Sequence, residues 1–138
     1  MSFEHRVRVR YGETDQMGVV HHPEYLLYME EARTAYMAHL GCPYSELERS
    51  GVGLAVRRVE LRYFAGARYE EELRVTTHLE RLRAASVSFR YEIERAADGA
   101  RLVTGSTELA CIDLTRPERP PRPLPSGLSE IVRRELAG

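Results

Sequence analysis

Among the residues that could carry out acid–base or nucleophilic chemistry, Asp15 has the most informative position. Only three aspartates occur, against eighteen glutamates. Asp98 belongs to a turn pattern and Asp113 ends a strand pattern, whereas Asp15 lies in the loop before the longest helical pattern. A carboxylate there can act as a nucleophile or as a general base for water. Unpaired N–H groups at the helix start can stabilise a developing oxyanion. The alternative is that Asp15 only organises its loop through hydrogen bonds to the backbone.

Two adjacent histidines, His21 and His22, precede the helix and raise the question of a metal site. Adjacent side chains ordinarily point apart, and no HExxH or HxxxH spacing completes a set of ligands. We therefore expect no metal, and we assign His22 a role through its backbone N–H or a hydrogen bond at the helix start. A Ser-His-Asp hydrolase is not supported either, because no GxSxG motif occurs.

The absence of lysine and asparagine excludes several classes of chemistry. All 20 of them are arginines, and lysine, asparagine and tryptophan are absent. The chain therefore cannot form a lysine Schiff base, a P-loop, a Ser-Lys pair or a Cys-His-Asn triad. A formal net charge of −1 argues against a general nucleic-acid binder. Because no apolar run is long enough to span a membrane and no signal peptide is evident, we expect a cytoplasmic protein that binds no membrane.

Several arginines cluster along segments with strand character, among them Arg57, Arg58 and Arg68. Such a cluster is usually the solvated face of a sheet. The alternative is a rim that binds phosphate groups, since a guanidinium binds them with two parallel hydrogen bonds. The sequence leaves both interpretations open.

The longest periodic segment predicts a helix over residues 23–40. Pro23 suits the first helical position, and Gly41 can cap the C-terminal end. Glu30 and Arg33 are three residues apart and are expected to form a surface or half-buried ion pair. The residues that share the apolar side are Tyr25, Met29, Ala32, Tyr36 and Leu40.

Alternation of apolar and polar residues predicts about five strands in the rest of the chain. In the first, Val7, Val9 and Tyr11 share one face. In the second, the adjacent Arg57 and Arg58 break the alternation and indicate a bulge. One long helix followed by antiparallel strands indicates an α+β fold. The predicted strands are residues 5–11, 54–64, 73–80, 86–94 and 101–113.

The length of 138 residues indicates one domain that spans residues 1–138. Prolines crowd into residues 115–125, which ends the last strand in an extended segment. A short helix is expected at residues 128–136, after this segment.

The loop and the helix together carry a recognisable motif. Residues 14–22 read TDQMGVVHH, and they are followed by YL at residues 25–26 and by EEAR at residues 30–33. This resembles the T-D-x-x-G-V-V-x-H loop and the Y-L helix with E-x-A-R of hotdog-fold acyl-CoA thioesterases. Specifically, it is similar to the 4-hydroxybenzoyl-CoA thioesterase family and its YbgC-like branch. Residues 63–71, YFAGARYEE, resemble the Y-x-x-P-A-R-x-x-D stretch of the same family, with Gly66 in place of proline and Glu70 or Glu71 in place of aspartate.

The resemblance implies a hotdog fold, in which a curved antiparallel sheet wraps around the long helix. It also implies a homodimer or homotetramer with active sites at the subunit interface, and no cofactor, because coenzyme A is part of the substrate. Asp15 matches the catalytic carboxylate of the family, acting as nucleophile or general base. The backbone N–H of His22 matches the amide that polarises the thioester carbonyl.

Further residues are expected to contact the substrate. Gly18 and Val19 belong to the matching loop. Tyr25, together with Tyr28 and Met29, either lines an acyl pocket or is part of the core. Candidates for the phosphates of coenzyme A are Arg57, Arg58 and Arg68, some of them acting across a subunit boundary.

The predicted function is hydrolysis of an acyl-CoA thioester to a free acid and coenzyme A. Two alternatives remain open at this point. The first is a hotdog hydratase or dehydratase that uses His22 and Asp15 on a β-hydroxyacyl or enoyl thioester. The second is a non-catalytic acyl-CoA-binding module, which would not need an ionised Asp15.

Overall fold

Five strands and three α-helices make up the chain in the computed structural model, which describes residues 1–138. The 3-10 turn Tyr11–Glu13 follows the first strand, and a helix–helix pair then leads into the other four strands. In chain order the elements are β1 (Ser2–Arg8), α1 (Glu24–His39), α2 (Tyr44–Arg49), β2 (Val52–Tyr63), β3 (Glu72–Leu82), β4 (Ser86–Arg95), β5 (Arg101–Asp113) and α3 (Ser126–Ala137).

The strands form one antiparallel sheet in the order β1-β3-β4-β5-β2. Consecutive strands β3, β4 and β5 pair directly, while β1 and β2 lie at the two edges. The register of β2 against β5 shifts between Val56 and Arg58, which confirms the predicted bulge. The predicted α+β architecture of five antiparallel strands with one long helix is therefore correct.

Helix α1 packs its apolar side against one face of this sheet. Met29, Ala32 and Tyr36 are almost completely buried, as the periodicity predicts. The ring of Tyr36 stacks on Phe3 of β1, with ring centroids 5.3 Å apart. The ends of the helix agree with the sequence to within one residue, and Gly41 after it has a φ of +86°, the left-handed conformation expected of a C-terminal cap.

Two local predictions were wrong. Tyr11 does not continue the buried face of β1, because the strand ends at Arg8 and Tyr11 opens a 3-10 turn with 76% of its surface exposed. Arg33 does not form a surface pair with Glu30. It is 4% exposed, and its Nη1 donates a 3.0 Å hydrogen bond to the hydroxyl of Tyr91 in β4.

The proline-rich segment runs beside the end of β5 and leads into α3. Pro121 forms an isolated bridge with Ile112 at the end of β5. Helix α3 begins two residues earlier than predicted and buries Leu128 and Val132. None of the helices is long and apolar enough to cross a membrane.

Candidate active site

The loop that carries Asp15 closes on itself as a tight turn. Thr14 and Val20 form an isolated antiparallel bridge, and the N–H of Asp15 donates to the carbonyl of Val19 (2.9 Å). The N–H of Gly18 donates to the carbonyl of Asp15 (3.0 Å). Gly18 has a φ of +80°, a left-handed conformation in which a residue without Cβ is favoured. The glycine in the motif therefore allows the turn that presents Asp15.

The carboxylate of Asp15 is half-buried and has one oxygen free. Its Oδ1 accepts a hydrogen bond from the N–H of Met17 (2.9 Å), whereas its Oδ2 accepts none within the chain. Asp15 thus organises its loop through a hydrogen bond to the backbone, as one of the two interpretations predicts, and its second oxygen has no hydrogen-bond partner. A cleft of about 610 Å³ opens beside it, lined also by Tyr11, His21 and Glu24.

The start of α1 follows directly after this loop. The N–H of His21 donates to the carbonyl of Glu13 (2.8 Å), but the N–H of His22 makes no hydrogen bond within the chain. The carbonyl of His22 accepts a hydrogen bond from the hydroxyl of Tyr63 (3.1 Å). The N–H of His22 is therefore a donor without a hydrogen-bond partner in the chain, on an exposed residue just before the N-terminus of α1.

Tyr25 lies beneath the site as a core residue. It is 2% exposed, and its hydroxyl accepts a hydrogen bond from the N–H of Ala67 (3.1 Å). The carbonyl of Ala67 in turn accepts from the N–H of Val20 (2.9 Å). Burial raises the pKa of the Tyr25 phenol above its ordinary value. Tyr25 therefore holds the loop after β2 against the Asp15 loop, and Tyr28 and Met29 are buried as well.

Of the three candidate arginines, only Arg68 lies at the Asp15 loop of its own chain. A methyl group built on Gly18 would be 3.6 Å from Nη1 of Arg68. Arg57 forms an ion pair with Glu108, with Nε 2.9 Å from Oε1. Arg58 is exposed in β2, five residues before Tyr63, and thus about 17 Å from it along an extended strand.

Two residues at the site did not follow from sequence patterns. Tyr63 is predicted as a strand residue and as the first residue of the stretch 63–71, with no role assigned, yet its hydroxyl donates to the carbonyl of His22 at the helix start. No sequence pattern assigned a role to Glu13, yet its carbonyl accepts a hydrogen bond from the N–H of His21. The available signals were the position of Glu13, two residues before Asp15, and that of Tyr63, the first residue of the stretch 63–71.

The imidazole rings of His21 and His22 pack edge to face, with centroids 4.8 Å apart. No group of three or more His, Cys, Asp or Glu side chains is gathered closely enough to hold a metal ion.

Known proteins resemble this chain over most of its length. Residues 9–132 match the family model described as Thioesterase-like superfamily. The chain is 36% identical to the putative acyl-CoA thioesterase YneP of Bacillus subtilis, over 78% of this chain and 77% of that protein. It is 31% identical to the acyl-CoA thioester hydrolase YbgC of Escherichia coli, over 91% of this chain and 92% of that protein.

Solved structures agree with this result. A hypothetical protein, TT1821, from Thermus thermophilus superimposes with a TM-score of 0.90 at 36% identity, covering 98% of both chains. The 1,4-dihydroxy-2-naphthoyl-CoA thioesterase Slr0204 from Synechocystis superimposes with a TM-score of 0.87 at 25% identity, covering 96% of both chains. The predicted hotdog fold and the resemblance to thioesterases are confirmed. The chain belongs to the Thioesterase-like superfamily.

Proposed function

We propose that this enzyme hydrolyses acyl-CoA thioesters to a free acid and coenzyme A. One observation carries the proposal: a carboxylate with an unoccupied oxygen, on Asp15, precedes by seven residues an unoccupied backbone N–H, on His22, at the start of the central helix. The names of the relatives YneP and YbgC support an acyl-CoA substrate.

The two groups have complementary roles in the reaction. The N–H of His22 donates to the thioester carbonyl and stabilises the negative charge that develops on its oxygen. In one route Asp15 removes a proton from water, the water oxygen bonds to the carbonyl carbon, and the C–S bond then breaks to release the thiol. In the other route Asp15 itself attacks, the thiolate leaves, and water hydrolyses the resulting anhydride. Both routes give the same products.

Substrate contacts follow from the loop geometry. Gly18 and Val19 border Asp15 and are proposed to contact the thioester end of the substrate. Arg68, beside Gly18, is proposed to bind a phosphate group of coenzyme A. Arg57 is paired with Glu108 and Arg58 lies on the exposed part of β2, and we propose for both a role only across a subunit boundary.

The free edge of β2 supports a homo-oligomer. Strand β2 pairs with β5 on one side only, and an exposed edge strand can pair with another chain. Four large apolar residues on or next to this edge are each at least 42% exposed: Val56, Val59, Tyr63 and Phe64. We propose that two copies join through β2, either as a dimer or as half of a tetramer, and that the sites lie at this contact because Tyr63 touches His22.

Asp15→Asn tests the proposed reaction. Purified protein is incubated with short, long and aromatic acyl-CoAs, and release of free thiol is followed. Asparagine keeps an oxygen for the Met17 N–H but is neither a nucleophile nor a base, so turnover should fall by a factor of at least about 100 with acyl-CoA binding retained.

Two other aspartates provide matched controls. Asp98 and Asp113 each accept a hydrogen bond from the backbone N–H two residues later, as Asp15 does. Asp98→Asn and Asp113→Asn should keep the parent rate. Thiol release by Asp15→Asn at the parent rate would refute the proposal. Binding without any turnover by the parent would indicate an acyl-CoA-binding module, and a change in enoyl-CoA absorbance would indicate a hydratase or dehydratase.

A further inference from the structure

Glu13 makes three short hydrogen bonds at the base of the site. It ends the 3-10 turn Tyr11–Glu13, two residues before Asp15. Its Oε1 accepts from the N–H of Arg10 (2.8 Å) and from the hydroxyl of Tyr28 (2.8 Å). Its backbone carbonyl accepts from the N–H of His21 (2.8 Å). One residue therefore contacts the chain before the Asp15 loop, the chain after it, and the helix behind it.

The contact with Tyr28 anchors Glu13 to the rigid part of the fold. Tyr28 is 4% exposed and lies in the second turn of α1. Burial, together with the nearby Glu13 carboxylate, raises the pKa of the Tyr28 phenol far above its ordinary value, so this hydroxyl remains a donor at any pH at which the enzyme would be assayed. The Glu13 carboxylate is thus hydrogen-bonded to a core side chain of α1.

The contacts of Glu13 lie at both ends of the loop that runs from Asp15 to His22. Asp15 follows Glu13 at the entry to the loop, and His22 follows His21 at its exit. The side chain of Glu13 attaches the start of the loop to Tyr28 of α1, and its carbonyl binds the N–H of His21 at the end of the loop. The same residue therefore sets the positions of Asp15 and His22. We infer that Glu13 is a positioning residue that, through Tyr28, holds the Asp15 carboxylate and the His22 amide in register.

This inference rests on the proposed function, since it gives Glu13 a role in the same reaction. Displacement of a reacting group by about 1 Å can cost a factor of about 100 in rate. Loss of the Glu13 side chain should therefore lower kcat much more than it changes KM, because the phosphate contact proposed for Arg68 lies outside the loop that Glu13 holds.

The chain contains a matched pair for comparison. At the other end of the same helix, the hydroxyl of Tyr36 donates to Oε1 of Glu135 (2.5 Å). This is again a buried tyrosine of α1 bound to a glutamate, but Glu135 belongs to α3 and has no connection to the Asp15 loop. Removal of either tyrosine hydroxyl should have a similar effect on stability, and only loss of the Glu13 contact should affect the reaction.

The kinetic test uses Glu13→Ala, Glu13→Gln and Tyr28→Phe, with Glu135→Ala and Tyr36→Phe as controls. We expect kcat to fall about 10- to 100-fold in Glu13→Ala and about 3- to 10-fold in Tyr28→Phe, with KM changed less than about threefold. Glu13→Gln should restore most of kcat, because its amide oxygen still accepts both hydrogen bonds. The two controls should keep the parent kcat. A Glu13→Ala variant with the parent kcat, or a Glu135→Ala variant with an equal loss, would overturn the inference.

Amide hydrogen exchange of residues 14–22 provides a measurement that does not depend on activity. Exchange in this segment should be faster in Glu13→Ala than in the parent and unchanged in Glu135→Ala. Equal exchange in both variants would overturn the positioning role even if no thioester were hydrolysed. If the parent shows no turnover while Glu13→Ala still loosens the segment, only the proposed function fails. If Glu13→Ala does not fold, Tyr28→Phe answers the same two questions.

Discussion

The hydroxyl of Tyr63 donates a hydrogen bond to the carbonyl of His22 over 3.1 Å. Tyr63 is the last residue of β2, and its ring also packs at a steep angle against Tyr25, with centroids 5.8 Å apart. The residue is 48% exposed at the free edge of the sheet. The start of α1 is therefore hydrogen-bonded to the edge strand β2, through which we propose that two copies join.

Tyr63→Phe should lower kcat modestly. Phenylalanine keeps the ring contacts and removes only the hydrogen bond to His22. A hydrogen bond of this kind contributes about 0.5–1.5 kcal/mol, which corresponds to a decrease of about 2- to 13-fold if it acts in the transition state. Tyr69→Phe is the control, because its half-exposed ring packs on Tyr11 and its hydroxyl makes no hydrogen bond. Equal rates in the two variants would show that the hydrogen bond does not support the site.

Two buried threonines should respond in opposite directions to replacement by valine. Thr77 is 0% exposed and its hydroxyl has no hydrogen-bond partner, whereas the hydroxyl of Thr107 shares a 2.6 Å hydrogen bond with Tyr91. Thr77→Val removes an unsatisfied polar group and should raise the free energy of unfolding by roughly 0.5–2 kcal/mol. Thr107→Val breaks a buried pair and should lower it by about 1–3 kcal/mol. Urea unfolding measures both, and a loss of stability in Thr77→Val would contradict the prediction.

The periodicity of apolar residues predicted burial well where one face of an element packs in the core along its whole length. In β4 the alternating residues Val87, Phe89, Tyr91 and Ile93 are all buried, as expected. It failed where a partner distant in sequence decides the outcome. Tyr11 leaves the strand to pack edge to face on Tyr69, and Arg33 is drawn into the core by Tyr91, 58 residues away. Neither contact has a local signal.

The residues of the candidate site likewise differ in how far the sequence could predict them. Asp15 and the helix start follow from a contiguous motif, because the loop and the helix are adjacent in the chain. Glu13 and Tyr63 act through contacts with residues 15 and 41 positions away, and such contacts become visible only when the chain is folded. The opposing interpretations of Asp15 also prove compatible, since its Oδ1 organises the loop while its Oδ2 stays free.

Gly18→Ala should reduce both stability and activity. At a φ of +80° an alanine is strained, at a cost of about 1–2 kcal/mol in the free energy of unfolding. The new methyl group itself would fit, because its nearest neighbour is Nη1 of Arg68 at 3.6 Å. Since the turn carries Asp15, relief of the strain should also shift the carboxylate and lower kcat.

Gly12→Ala is the control for this substitution. Gly12 has no left-handed φ, and no atom lies within 4 Å of the position of a new methyl group. Its stability should change by less than about 0.5 kcal/mol. Thermal unfolding and thiol release together test the pair, and a Gly18→Ala variant as stable and as active as Gly12→Ala would contradict the assignment of strain to this turn.

The tyrosines should make the protein lose stability at alkaline pH. Burial is the main cause that raises the pKa of six phenols above the ordinary value of about 10: Tyr25, Tyr28, Tyr36, Tyr44, Tyr63 and Tyr91. A phenol with a raised pKa in the folded state binds its proton more tightly there than in the unfolded state. Its contribution to stability is complete below about pH 10 and is lost as the pH rises above that value.

Two measurements check this expectation. The phenolate absorbance of the native protein at about pH 11 should remain well below that of the protein in concentrated denaturant, where all 8 tyrosines titrate near their ordinary value. The urea midpoint should fall between about pH 9 and pH 11, since ionisation then favours the unfolded chain. Native protein in which every phenol ionises near pH 10 while the urea midpoint stays constant would contradict the buried environment that the packing of α1 gives to Tyr25, Tyr28 and Tyr36.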